Sequence, residues 1–434
     1  MTATDKSSNP STNTAVQTAG AEPLAGPAIA TGHEGSVRDQ LNGYLQRVRG
    51  GEMGMLPALA GLIVLGILFG FSSQFFFTTT NIANLMTQTA ALMMLSIALT
   101  FVILIAEIDL SAGVTAGTGM AVFIKLVDQS GWNWIPALIV ALIVGLIIGL
   151  FIGYAVAKIG IPSFVVTLGL FLGFQGVQLV LLGDGGSFRV QDPTVLAIMN
   201  SSMPVWAGWV MLLVIVLVSL GSGLYDRRHR LAVGMPVRPI AILAARVLAW
   251  AVGGGIVVGL LSQNRSSGTI PIEGVPIVVP LALAVVFIGT LMLDRTRFGL
   301  HIYAVGGNPE GARRAGINVA RVRIACFVFC SSLAIISGLF YASQTGTVES
   351  SLGQTEVLPG VAAAVVGGVS LFGGRGKLAH PVIGALLISM ITNGLGLLGL
   401  AAGLTLIVQG AVLILAASVD ALSRRRTGGS LARS

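Results

Sequence analysis

Two carboxylates, Glu107 and Asp109, stand within apolar sequence. An acid in such surroundings can carry a proton or a cation through a membrane. Residues two apart do not share a helix face, and Asp109 precedes Leu110-Ser111 where an apolar run begins, a place suited to a helix cap. Relay and cap therefore both stand as readings of Asp109. The histidines, His33, His229, His301 and His380, fall in the polar tail, in loops or at run edges. None lies beside a nucleophile, which argues against Ser/His and Cys/His catalysis. Cys326 and Cys330, four apart in an apolar run, read as two buried thiols, because that helical spacing seldom meets disulfide geometry. No Cys/His metal spacing occurs. "LFGGRGKL" comes nearest to a phosphate-binding loop, but Leu371 replaces its first glycine and Leu378 its magnesium-binding hydroxyl. The chain is therefore expected to bind no cofactor and no metal. Energy for any uphill work must come from another subunit or from an ion gradient.

The most polar internal stretch is "GLHIYAVGGNPEGARRAGINV". Gly306 and Gly307 permit a tight turn. Asn308 suits an N-cap, Pro309 the first helical position, and Glu310 the first turn, where the helix dipole favours an anion. Arg313 and Arg314 follow, and the segment runs to Gly316. A short, rigid helix anchored at both ends transmits a push instead of absorbing it. Its arginines read either as anchors on lipid phosphate or as charge presented to a partner surface. A second set is polar but uncharged: Gln88 with Thr87, Gln175 and Gln178 on one helix face, Asn393 and Gln409, with Phe171 and Phe174 as aromatic neighbours. Amides that exchange hydrogen bonds with hydroxyls, beside aromatic faces that cover C–H surface, could line a path for a neutral polyol. Equally, each amide could be an interhelical hydrogen bond that holds a bundle together.

The elements that position these residues are membrane helices. Of 434 residues, 54% are apolar and 10% charged, where a soluble domain carries about 25% charged. Mean hydropathy is +0.89. Apolar runs of roughly 20 residues without alternation predict an all-α polytopic protein and not a barrel. About twelve runs are seen, near 54–74, 84–106, 110–127, 134–157, 163–182, 205–222, 239–261, 275–293, 321–343, 357–371, 378–397 and 402–419. The third and tenth are short and glycine-rich and read as half-spans or broken helices. Residues 1–34 read as a disordered tail, 35–53 as an amphipathic helix on the inner membrane surface, 54–420 as the membrane domain, and 421–434 as a basic cytoplasmic tail. With both termini inside, outer loops hold only Lys125, Arg189 and Arg265 of the 25 Lys and Arg. That asymmetry places the 306–316 segment in the cytoplasm. It also explains the net charge of +8 by topology and lipid contact, not by nucleic-acid binding. Outer loops are short and mildly acidic, with Asp184, Glu349 and Glu356.

"EIDLSAG" (Glu107–Gly113), "PSFVVTLG" (Pro162–Gly169), "TRFGLHIYAVGGNPEGARRAGINV" (Thr296–Val319), "AAAVVGGVSLFGGRG" (Ala362–Gly376) and "GALLISMITNGLGLLGL" (Gly384–Leu400) together resemble the signatures of monosaccharide ABC-importer permeases of the ribose/xylose-type branch. The resemblance covers about residues 55–420. It implies a core of about ten spans, with 205–261 as an inserted pair similar to that of xylose-type members, and hence xylose or another pentose as substrate. Glu107 departs from the small apolar residue usual there, and His380-Pro381 from the usual small residues. The resemblance further implies a homodimer in the bacterial inner membrane, a solute-binding protein outside, and a separate ATPase subunit that binds ATP and Mg and grips the 306–316 loop. An ion-coupled transporter of a small neutral solute, and a permease for branched-chain amino acids, are the alternatives.

Overall fold

The computed structural model describes residues 54–431 without Pro236, Arg238 and Ser267, and without the side chains of 419, 420 and 422–431. The expected 1–34 tail and 35–53 surface helix lie outside the described residues. In chain order the elements are α1 (Leu56–Ser72), α2 (Thr79–Leu104), α3 (Ala112–Ile124), α4 (Trp134–Tyr154), α5 (Ser163–Leu182), β1 (Ser187–Arg189), α6 (Pro193–Asn200), α7 (Val205–Ala232), α8 (Ile240–Leu261), α9 (Val278–Arg295), α10 (Arg297–Gly307), α11 (Pro309–Arg314), α12 (Val319–Thr345), β2 (Thr347–Glu349), α13 (Val357–Gly367), α14 (Ala379–Leu397) and α15 (Ala402–Leu431). α3 and α4 each run on into a short π-helical turn, Lys125–Gln129 and Ala155–Ile159.

All twelve apolar runs form helix, and eight of these helices are long and apolar enough to cross a membrane. The two runs read as half-spans are short: α3 has 13 residues and α13 has 11. At about 1.5 Å per residue neither α-helix spans a hydrocarbon layer about 30 Å thick. α3 is instead almost wholly buried among the longer helices, and α13 is mostly so, with Leu358 exposed near its start. The C-terminal helix continues to Leu431, through most of the stretch expected as a tail.

Polarity explains the layering. Side chains such as Ile63, Val180, Leu248 and Ile407 are more than half exposed on outer helices, an arrangement that suits lipid and not water. The interior is α2, α3, α12, α13 and α14, and it packs through small residues. Gly145, Gly149 and Gly153 repeat every fourth residue on α4, and there α12 lies against the bare backbone. A Cβ on Gly149 would sit 2.6 Å from Val328 Cα, so the sequence "GLIIGLFIG" makes this contact possible. The inserted pair, α7 and α8, pack on each other at the periphery, with few buried residues. Arg246 within α8 donates to the Ser219 carbonyl at 2.7 Å, which gives the lone charge of that run a partner.

At the end of the bundle carrying Asp184 and Glu349, β1 and β2 pair antiparallel, Phe188 opposite Val348. The chain between β2 and α13 then dips inward until the backbones of Gly113 and Gly353 touch. Strands of three residues leave no periodic signal to read, so this cap emerges only in three dimensions.

Candidate functional site

The arginine-rich end of the bundle gathers the charged motif of residues 306–316, the Glu107–Asp109 pair and the glycine-rich loop at 373–376. Its centre is the break between α2 and α3. After Leu104 the chain turns through Ala106, whose φ of 61° is the only positive value for a non-glycine among the described residues. A left-handed alanine costs roughly 1–2 kcal/mol and persists only where its surroundings fix it. They do so on three sides. Gly374 N donates to the Leu104 carbonyl at 2.8 Å, with Gly374 itself at φ +71°. Gly306 lies flush against that same carbonyl, where any side chain would collide with Leu104 O and stand 2.7 Å from Gly374 N. On the other flank, Ser163 Oγ at the start of α5 accepts from Ile108 N at 3.3 Å.

The role expected for the glycine pair is thereby corrected. Gly306 and Gly307 make no turn; they are the last residues of helix α10. Gly306 is small because backbone passes it, while a Cβ added to Gly307 would meet nothing within 4 Å. The left-handed glycine is Gly316, at φ +83° beyond α11. The Asn308 cap, Pro309 in the first turn and Glu310 beside it are as expected for α11. Asn308 Oδ1 accepts from Gly311 N at 2.9 Å and Pro309 occupies the first turn. Glu310 pairs with Arg313 at 3.2 Å and Arg314 at 3.4 Å. All three side chains are more than half exposed, while Ala312 behind them is buried. α11 thus shows charge outward on a firmly seated base. Tyr303 of α10 adds a strut, donating to the Gly376 carbonyl at 2.8 Å; burial, and secondarily Asp294, pushes its hydroxyl pKa up to about 12.

The two carboxylates of the sequence separate here. Glu107 meets Arg323, on the first turns of α12, with Oε1 3.2 Å from Nε. Asp109 is 1% exposed; its Oδ1 accepts from Ser111 N at 2.9 Å and Ser111 Oγ at 2.7 Å, closing a turn one residue ahead of α3. That is the capping reading with a shift of register: the closest bonds brace the turn just before the helix. Asp109 Oδ2 makes no hydrogen bond of good geometry, although the Cys330 thiol of α12 and the Ala112 amide stand within reach of the carboxylate. Cys326 and Cys330 are buried free thiols.

The uncharged candidates scatter. Asn393 exchanges reciprocal bonds of 2.9 Å with Asn81, tying α14 to α2. Gln178 donates to the Val114 carbonyl at 3.0 Å and pins α5 to α3, leaving its Oε1 unpaired. Gln409 donates to Thr392 at 2.8 Å. Phe171, Phe174 and Gln175 are half-buried along α5, and Gln88 is half-buried on α2 with a shielded, unpaired Oε1. Among the described residues no hydrogen bond joins Gln88 or Asn393 to the α5 glutamines. A cavity of about 500 Å³ lies elsewhere, between α1, α13, α14 and α15. Its walls are mainly aliphatic, as at Leu65, Leu387 and Val408, with Ser370, Arg375 and His380 among the lining residues. At the opposite end of the bundle, Glu356 turns inward to accept from Tyr341 Oη at 3.0 Å, and burial raises its pKa. Asp184 and Glu349 there are exposed.

Residues 81–417 match the family model described as the branched-chain amino acid transport system / permease component. The chain belongs to this permease family. It is 33% identical over 375 residues to the Xylose transport system permease protein XylH of Escherichia coli (strain K12), an alignment covering 85% of this chain and 92% of that one. The Haemophilus influenzae XylH is likewise 33% identical, over 372 residues, covering 84% and 96%. The Ribose import permease protein RbsC of Bacillus subtilis is 29% identical over 370 residues, covering 85% and 94%. No solved structure matches. A multi-pass transport subunit, not a catalyst, is what a chain of this family with these helices is.

Proposed function

We propose that the chain is the transmembrane subunit of an ATP-driven monosaccharide importer, with xylose or another pentose as its cargo. The observation that carries this reading is α11: a capped, charged, outward-facing helix that directly follows α10, whose last turn packs Gly306 against Leu104 at the break between α2 and α3. An ion-coupled carrier has no use for such a handle. A separate ATPase grips α11, closes on ATP and tilts the spans; a sugar-loaded binding protein docks at the opposite end, where Asp184 and Glu349 are exposed. Two copies of the chain form the pathway, in the inner membrane, with both termini and α11 on the cytoplasmic side. Gln88, Phe171, Phe174 and Gln175 line the path, since they are only half-buried, whereas Gln178 is buried against the Val114 carbonyl and Asn393 is committed to Asn81. The names of the xylose and ribose relatives, similar over most of their lengths, favour a sugar over a branched-chain amino acid.

Reconstitution in vesicles tests this. The chain alone, under a proton or sodium gradient, accumulates no labelled xylose. Addition of its ATPase, ATP and the binding protein gives uptake. Uptake driven by a gradient without ATP would transfer the protein to the ion-coupled class, with the buried Asp109 as its first suspect.

A further inference from the structure

We propose that the Glu107–Arg323 ion pair is a positioning element that ties the break between α2 and α3 to the loop bearing α11. Motion of α11 then reaches Asp109–Gly113 instead of dissipating at the bend. This rests on the importer reading above.

The pair is placed where such a tie is needed. Glu107 follows the left-handed Ala106 directly, and its own N–H bonds to the Val102 carbonyl at 3.1 Å. It is therefore fixed to the end of α2 on one side, and two residues from the buried Asp109 on the other. Arg323 is fixed to α11 by an equally short path. Gly316 N bonds to Arg313 O at 3.0 Å, Ile317 N to Ala312 O at 3.0 Å, and Arg321 N to the α12 cap Asn318 at 3.0 Å. The two backbones are thus stiff on either side of one side-chain contact.

The chemistry of the contact also points to positioning. The side chains are only 13% and 27% exposed. Shielding an ion pair to this degree gives little net stability, because desolvation offsets attraction, yet loss of one partner leaves a stranded charge. The contact is close, but Arg323 Nε makes no hydrogen bond of good geometry with the carboxylate. Attraction between charges is far less directional than a hydrogen bond, so the pair stays together while the two segments shift by fractions of an ångström. Gly306 and Gly374 carry the adjoining backbone contact, which is stiff and short in reach; the ion pair extends it to α12.

The test uses the full transporter in vesicles, with its ATPase and binding protein. Glu107→Gln and Arg323→Gln are each compared with the double exchange Glu107→Arg/Arg323→Glu. Sugar moved per ATP hydrolysed is measured beside ATPase co-purification and thermal stability. Each single variant is expected to keep its ATPase bound and hydrolysing while sugar per ATP drops about tenfold, within the range of ordinary coupling energies. The exchange is expected to recover at least half of the loss. Single variants at the wild-type ratio, or an exchange no better than the singles, overturn the proposal. If the single variants fail to fold, Glu107→Asp and Arg323→Lys keep both charges and shift their spacing. They are then expected to fold with a reduced ratio, and a full ratio in both overturns the proposal. Wild-type protein that moves no sugar on ATP removes the importer reading itself, and this inference with it.

Discussion

At residue 306 a single hydrogen atom decides how closely the ends of α10 and α2 approach. The Leu104 carbonyl already accepts from Gly374, and Gly306 fits beside that bond only because it lacks a Cβ. Gly307, one residue on, faces open space. The two glycines look alike in sequence and differ in cost. Gly306→Ala is expected to destabilise the detergent-solubilised protein by about 1–3 kcal/mol, the usual range for overpacking. Gly307→Ala at a helix end is expected to change stability by less than about 1 kcal/mol. Thermal unfolding of the two variants side by side checks this, and equal shifts would remove the close-approach explanation. The same scale separates the carboxylates. Glu107 has a cation within ion-pair distance; Asp109 has Ser111 bonded to one of its oxygens. Type and spacing alone could not assign those roles, because the cation is distant in sequence.

At the scale of elements, α11 is a six-residue helix. A helix that short has no independent stability in water and needs its caps and its seat. Asn308 caps one end, Gly316 leaves the other, and buried Ala312 seats it. Its salt bridges are exposed and contribute at most a few tenths of a kcal/mol each to the fold. Replacing Glu310, Arg313 and Arg314 together with Ala is therefore expected to leave the melting temperature nearly unchanged. The same variant is expected to lose the ATPase on co-purification, because those side chains face outward. ATPase retained at wild-type yield would remove docking and leave lipid anchoring as the role of the arginines. The half-spans follow the same reasoning. α3 and α13 are too short to cross alone, and bury themselves among longer helices at the point where chain from both ends of the bundle meets. Broken helices of this kind are tolerated in a membrane only where protein surrounds them.

For the whole molecule, charge asymmetry and fold point the same way. α11, Arg323 and Arg375 converge at one end; exposed Asp184 and Glu349 lie at the other, where Arg189 of β1 is one of few arginines. A cysteine placed at Arg314 is expected to react with a membrane-impermeant maleimide in inside-out vesicles and not in intact cells. One at Asp184 is expected to show the reverse. Labelling of position 314 from outside would invert the topology and end the importer reading, since an ATPase in the cytoplasm could not reach α11.

Sequence alone determined the membrane helices, their approximate limits and the two short ones, because hydrophobic length is a local property that the bilayer sets. It also determined α11, because caps, proline and dipole act within a few residues. Tertiary structure decided what the polar residues do. Asn393 found Asn81, Gln178 found Val114, Glu107 found Arg323 and Gly306 found Leu104, each across a long stretch of chain. The β1–β2 cap and the inward turn of Glu356 were likewise out of reach. Inside a membrane a polar group must satisfy itself with whatever helix lies nearest, and which helix that is depends on packing, not on neighbours in sequence.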